Sequence, residues 1–288
     1  MQFVDIKNDI AFRKIFGDEK KKVILISFIN AVMQSEASAR IVDITIANPY
    51  QFPILPNFKA SIIDVRAFDA TGKTFIIEIQ VADVLGMDKR LLYYTSKEYS
   101  QQIMSGEQYT ELHPVIFIGI FDFRFSDGDY LSHHAICNVK TGERVIKDMD
   151  FYFIELPKFN KKLAELDNVT DKWIYFLKEA ETLHVIPDNL NDEGLNEAYN
   201  YANKYTWTKD ELNAYDYAGM REQDERGKLT KAEQRGEQRG EQTGEKKMQI
   251  KTAKNLIELN FDNEFIIKVT GLLYLEIEVL RAEIAKKN

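Results

Sequence analysis

The spacing of apolar and polar positions divides the chain in two. Residues 1–160 mix a helical period with a two-residue alternation, and the remainder reads almost entirely helical, which places a boundary near Pro157. Residues 9–16 form a short helical pattern stopped by Gly17, and residues 23–33 continue as an apolar helix of the kind that packs on a sheet. Residues 41–47 are rich in β-branched side chains and read as a strand, after which Asn48, Pro49, Pro53 and Pro56 break the chain into a loop. Two strand-like runs, 60–68 and 74–82, flank Asp69-Ala70-Thr71-Gly72-Lys73, a hairpin signal with a glycine available for a positive φ. Residues 88–104 are helical and end near Gly106. The near-continuous apolar run 114–123 is then a strand covered on both faces, at the centre of a sheet. Runs 130–139 and 144–156 flank Lys140-Thr141-Gly142-Glu143 as a second hairpin, so the order of elements describes an α/β domain with a mixed sheet.

Beyond this domain, residues 170–182 and 194–217 are helical and aromatic, with Trp173, Tyr175, Phe176, Tyr199, Tyr201, Tyr205 and Trp207, and are expected to pack on it as an extension over 161–220. A tetrad follows: Glu-Gln-Arg-Gly at 233–236 and 237–240, then Glu-Gln-Thr-Gly at 241–244. Each glycine costs roughly 1 kcal/mol relative to alanine in an isolated helix, so residues 221–246 are a charged linker or a helix that forms only against a partner. Residues 247–288 form a small helical module interrupted at Thr270-Gly271, whose Leu272, Leu273, Leu275, Ile277, Val279 and Leu280 favour self-association into a homodimer or higher oligomer. Its lysines 246, 247, 251 and 254 leave phosphate contact open as another use.

The sharpest chemical signal lies in the first hairpin. Alternation puts Phe75, Ile77, Ile79 and Val81 on one face of the strand and Ile76, Glu78 and Gln80 on the other. A three-residue loop of Ala70, Thr71 and Gly72 pairs Asp69 with Lys73, and five positions further back Asp64 faces Glu78. Facing residues have Cβ atoms about 4.5–5.5 Å apart, and like charges there repel. A hard divalent cation such as Mg²⁺ would compensate, since carboxylate oxygens are its preferred ligands. Such an ion also serves phosphodiester hydrolysis, by acidifying water and neutralising charge on a phosphoryl oxygen. The competing reading is an edge hairpin in which Asp64 simply pairs with Arg66 or a lysine.

Composition narrows the alternatives. The net charge of -8 argues against a general nucleic-acid coat and is spread over both halves of the chain, without excluding a local site. No apolar run approaches the roughly 18 residues of a membrane span, and the N-terminus lacks a basic segment followed by an apolar one, so a soluble cytoplasmic protein is expected. One cysteine, Cys137, excludes an internal disulfide and a Cys-rich zinc module. His133 and His134 are adjacent on a strand and point to opposite faces, so they cannot both chelate one metal in the usual way. Neither a phosphate loop nor a nucleophile elbow is present. On the helix after Gln80, Arg90, Tyr94, Lys97 and Gln101 share one ridge that suits a phosphate backbone, although a solvated face explains Lys97 and Gln101 equally well.

The arrangement resembles the PD-(D/E)XK nuclease superfamily, most closely its branch of recombination-promoting nucleases and transposases. The residues that carry the likeness are the run from Lys7 to Gly17 (Lys-Asn-Asp-Ile-Ala-Phe-Arg-Lys-Ile-Phe-Gly), Ile63-Asp64-Val65-Arg66-Ala67, Gly72, Glu78-Ile79-Gln80, Arg90 with Tyr93-Tyr94, Gly106 with Tyr109, and Pro114-Val115. The resemblance implies a restriction-endonuclease-like core and a Mg²⁺-dependent DNA endonuclease, with Mn²⁺ as a substitute, acting in recombination or mobile-element biology. By motif position it makes Asp64, Glu78 and Gln80 the catalytic residues. Asp64 and Glu78 would be metal ligands, the Ile79 carbonyl a third, and Asp9 a further candidate because it matches an acidic residue in the first helix. As N-terminal helix residues, Asn8 and Asp9 are otherwise ordinary caps. Together with the ridge on the helix after Gln80, the resemblance points to Arg90, Tyr93, Tyr94 and Lys97 as the DNA-contacting set, with Arg90 and Tyr93 inside the family pattern. Gln80 stands where lysine is usual and cannot supply positive charge or act as a base at neutral pH. A degenerate scaffold that binds DNA or protein without cutting is therefore the alternative.

Overall fold

The computed structural model describes residues 1–35, 39–51, 61–188 and 190–285. The loop at Pro53 and Pro56 and the strand start at residue 60 lie outside the described residues.

Helix α1, Asp9–Phe16, starts where the Asn8 side chain accepts from the backbone N–H groups of Ile10 and Ala11, and it ends at Gly17. Helix α2, Lys22–Val32, buries nearly its whole length, as the uninterrupted apolar run requires. Strands follow at Ile44–Ala47 (β1), Tyr50–Gln51 (β2), Ser61–Ile62 (β3), Val65–Asp69 (β4) and Thr74–Gln80 (β5). The first begins three residues later than the β-branched pattern suggests. The Asn30 side chain accepts from the Ile41 N–H and donates to its carbonyl, at 2.9 and 2.8 Å, so that stretch of backbone is bonded to α2 instead of a sheet.

Helix α3, Met87–Ser100, leads to β6, Val115–Phe121, which is buried along its whole length. Strands β7, Leu131–Ala135, and β8, Met149–Glu155, close the sheet. Both are shorter than the alternating runs. Asn138 caps the intervening turn through the N–H groups of Lys140 and Thr141, and the stretch 144–148 is anchored by Arg144, which bonds the Lys147 carbonyl and Asp150.

Among the described residues the main sheet has six strands in the order β1-β4-β5-β6-β8-β7, with β5, β6 and β8 parallel and the outer pairs antiparallel. This is a mixed sheet with flanking helices, consistent with a restriction-endonuclease-like α/β fold. Phe75, Ile77 and Ile79 of β5 face the larger core, shared with α1, α2 and the helices α4, Val169–Glu179, and α5, Glu193–Ala202. Ile76 faces a smaller core under α3, built with Ile63, Met87, Leu91, Tyr94, Phe117 and Phe121. The alternation read from the sequence thus separates two cores. Arg66 on the second face is held by α3 through a two-bonded pair with buried Glu98.

The chain divides into two compact units, Met1–Met220 and Arg221–Asn288. Residues Lys209–Glu258 form one 50-residue helix, α6, which includes the glycine tetrads. The other three positions of each tetrad are mostly Glu, Gln and Arg, good helix formers that offset the glycines. In the second unit α7, Asn263–Thr270, ends at Gly271 with φ +69°, and α8, Tyr274–Ala285, follows; Ala253, Ile257, Ile266, Leu272, Ile277 and Leu280 form their core. No helix among the described residues is long and apolar enough to cross a membrane.

Candidate active site

The hairpin turn sets the site. Asp69 Oδ1 accepts from the N–H groups of Thr71 and Lys73, while Gly72 takes φ +83° with the His113 ring packed where a side chain would be. The resulting register pairs Phe68 with Thr74, Arg66 with Ile76 and Val65 with Ile77. Continued by one position, it places Asp64 against Glu78. Asp64 lies on a bend just before β4 and substitutes for the missing strand: its Oδ2 accepts the Ile79 N–H at 2.9 Å.

Both carboxyl groups are buried, Asp64 to 8% and Glu78 to 3% exposure. Glu78 Oε2 accepts from Gln80 Nε2 at 3.0 Å, whereas Oε1 has no hydrogen-bond partner. The next strand shapes one side of the site. The β6 residue beside Glu78 is Gly119, where a side chain would meet the Phe121 and Phe117 rings at 2.7 and 3.1 Å. Glu78 therefore borders an aromatic wall on one side and another acid on the other. Burial first, and the Asp64 charge second, push its pKa well above the usual carboxylate value. Burial also raises Asp64, against the pull of the Ile79 N–H and Arg13.

Arg13 is the partner that sequence reading missed. Its Nε and Nη2 donate to Asp64 Oδ1 at 3.2 and 2.9 Å across 51 positions of sequence. The edge pairing of Asp64 with Arg66 or a lysine is thus replaced, because Arg66 is engaged by Glu98 on α3. Arg13 belongs to the first-helix run that carries the family likeness, which was the one available signal.

Asp9 is exposed in the first turn of α1, and its charge is felt at Asp64. Among the described residues, however, no group of three or more His, Cys, Asp or Glu side chains is placed to hold a metal ion, so Asp9 does not complete a set with Asp64 and Glu78. A two-carboxylate pair plus a strand carbonyl still suits Mg²⁺, which retains several waters. The unpartnered Glu78 oxygen beside a second buried carboxyl is the donor geometry that a hard cation satisfies.

The α3 ridge divides. Arg90 Nε donates to the Tyr94 hydroxyl at 2.9 Å and lies over its ring, and the Arg90 charge offsets that of Glu78. Tyr93 is 37% exposed. Tyr94 is buried in the smaller core, and Lys97 is only 7% exposed, with burial lowering its pKa. Neither of these two presents an open face to a phosphate backbone, and Lys97 is not on a solvated face either. The polar composition of α3 conceals this, because its packed side buries Lys97 and Glu98 together with Leu91.

Other candidates lie elsewhere. His133 stacks on Tyr152 and bonds Asp150 at 2.6 Å, His134 bonds Ser132, and Cys137 is exposed and free. In the second unit Lys246 and Lys254 pair with Glu276 and Glu283.

A family model described as PD-(D/E)XK nuclease family transposase matches residues 6–232. Neither the curated proteins nor the solved structures gave a match. Nucleases of this family generally use divalent metals and have DNA as substrate. The hairpin with its paired acids, the mixed sheet and this match over well more than half of the sequence agree, and the chain belongs to the PD-(D/E)XK nuclease transposase family.

Proposed function

We propose that this protein is a Mg²⁺-dependent DNA endonuclease serving recombination or mobile-element movement, with Asp64, Glu78 and the Ile79 carbonyl holding the ion. The observation that carries this reading is the buried Glu78 oxygen without a partner, set against Asp64 at the end of a family-typical hairpin. A bound divalent ion supplies an acidified water and neutralises charge on the phosphoryl oxygen. The chain's own residues do the rest. Gln80 fixes the Glu78 carboxylate through its 3.0 Å hydrogen bond and so sets which oxygen is left for the ion. The Phe117 and Phe121 rings, packed over Gly119 on the strand beside Glu78, make that side of the site apolar and strengthen electrostatic interactions there. Arg90, braced by Tyr94, and the exposed Tyr93 form the surface for the DNA backbone.

Nicking of supercoiled plasmid tests the reading. The wild type should nick with Mg²⁺ or Mn²⁺ and stop with chelator, and Asp64→Ala and Glu78→Ala should both be inactive while keeping the wild-type circular dichroism. Cleavage that survives either substitution refutes the assignment. A wild type that binds DNA with no cleavage in either ion supports instead the non-cutting scaffold that Gln80, in place of lysine, suggests.

A further inference from the structure

The site poses a charge problem. Its strand position for a cation is occupied by Gln80, whose amide is already committed to Glu78, yet cleaving a phosphodiester requires positive charge where the oxyanion develops. Two arginines approach the acid pair from different helices. Arg90, from α3, is tied to the Tyr94 hydroxyl and stacked on its ring, which fixes it in place. Arg13, from α1, bonds Asp64 Oδ1 through two nitrogens, and 40% of its side chain is exposed.

Those two bonds make Arg13 a substitute for the ion. With Oδ2 taken by the Ile79 N–H, Oδ1 is the oxygen on which Arg13 converges, and its charge is also felt at Glu78. A guanidinium and a divalent cation repel, and they compete for the same carboxylate. An arginine displaced from Asp64 still has a planar fork matched to phosphate oxygens and an exposed path toward them.

We propose that Arg13 is a transferable counterion: it neutralises Asp64 in the metal-free site, is released from Asp64 when the ion binds, and then contacts the scissile phosphate, supplying the charge that Gln80 lacks. The proposal rests on the metal-site reading above and assigns the missing cation to a helix 51 positions upstream of Asp64.

Calorimetric titration of Mn²⁺ into the metal-free protein at about pH 8, paired with single-turnover cleavage at saturating Mn²⁺, tests it on wild type, Arg13→Gln, Arg13→Lys and Glu78→Ala. Arg13→Gln should bind Mn²⁺ roughly 10-fold more tightly than wild type, because a competitor is gone. Its cleavage rate at saturating metal should nonetheless fall by about 100-fold, as loss of one charge-stabilising donor does. Arg13→Lys should recover part of the rate, having the charge without the fork. Unchanged or weaker Mn²⁺ binding by Arg13→Gln overturns the proposal, and so does a wild-type rate once the metal is saturating. Failure of the underlying metal reading looks different: the wild type itself would show no Mn²⁺ binding that Glu78→Ala removes, and both ideas would then fall.

Discussion

Replacing Glu78 by glutamine keeps the shape of the side chain and deletes its charge. Its oxygen can still accept from Gln80, so the variant isolates the electrostatics. The folded-state pKa of Glu78 is raised by burial and by Asp64, so the folded protein holds this proton more tightly than the unfolded chain does. Stability from this group is therefore fully present below the unfolded value, about 4.3, and is lost as pH rises through the raised folded value. Asp64, also raised, acts in the same direction. A buried acceptor left unpaired costs about 1–3 kcal/mol, and more when it is charged. Taking about 2 kcal/mol, and about 2–4 °C per kcal/mol for a unit of this size, Glu78→Gln should melt roughly 4–8 °C above wild type at about pH 8 in chelator. The gap should narrow as pH falls and wild-type Glu78 takes up its proton. Added Mg²⁺ should invert the order. At 100-fold over its Kd the ion stabilises the wild type by about 2.7 kcal/mol, and it finds no site in the variant. Scanning calorimetry over the pH series with and without metal makes the comparison. A variant that melts below wild type in chelator at about pH 8, or a gap that does not change with pH, refutes the reasoning.

Further consequences follow from the same geometry. Metal affinity should fall as pH is lowered, since protons compete at two carboxyls whose pKa values are both raised; isothermal titration across the series reads this, and a pH-independent Kd would contradict it. Gln80→Ala frees Glu78 Oε2 and should weaken the ion about 10-fold, as loss of an orienting partner commonly does, with little change in melting temperature. Glu155 is fully buried and gathers the N–H groups of Phe125 and Ser126, the Ser126 hydroxyl and the Lys158 ammonium. Glu155→Ala should therefore cost about 3–5 kcal/mol in denaturant unfolding, and a loss below about 1 kcal/mol would contradict that role. A fragment of residues 1–220 should unfold in a single transition, as judged by calorimetry, because the first unit carries its own two cores.

What was legible in the sequence follows from local geometry. The turn Asp69–Lys73 has the residues its conformation requires, and register then propagates with a period of two, so Asp64 opposite Glu78 and the two faces of β5 could be read directly. The all-apolar run of β6 likewise announced a strand buried on both sides. What failed was decided by tertiary partners. Ile41 has strand propensity, but Asn30 takes both of its backbone groups. Lys97 has a polar side chain, yet the packing of α3 buries it. The Arg13–Asp64 contact joins segments 51 residues apart, and no periodicity encodes such a meeting. The tetrads were settled locally instead: their glycines weigh against a helix one by one, but the good helix formers between them carry α6 through.

The most direct test of the central claim is anomalous scattering from crystals of the protein soaked in Mn²⁺. A single strong peak is expected within about 2.0–2.4 Å of Glu78 Oε1 and an Asp64 oxygen, with the Arg13 guanidinium moved away from Asp64. Crystals that take up Mn²⁺ elsewhere, with Arg13 still seated on Asp64 and no peak at the acid pair, would contradict it.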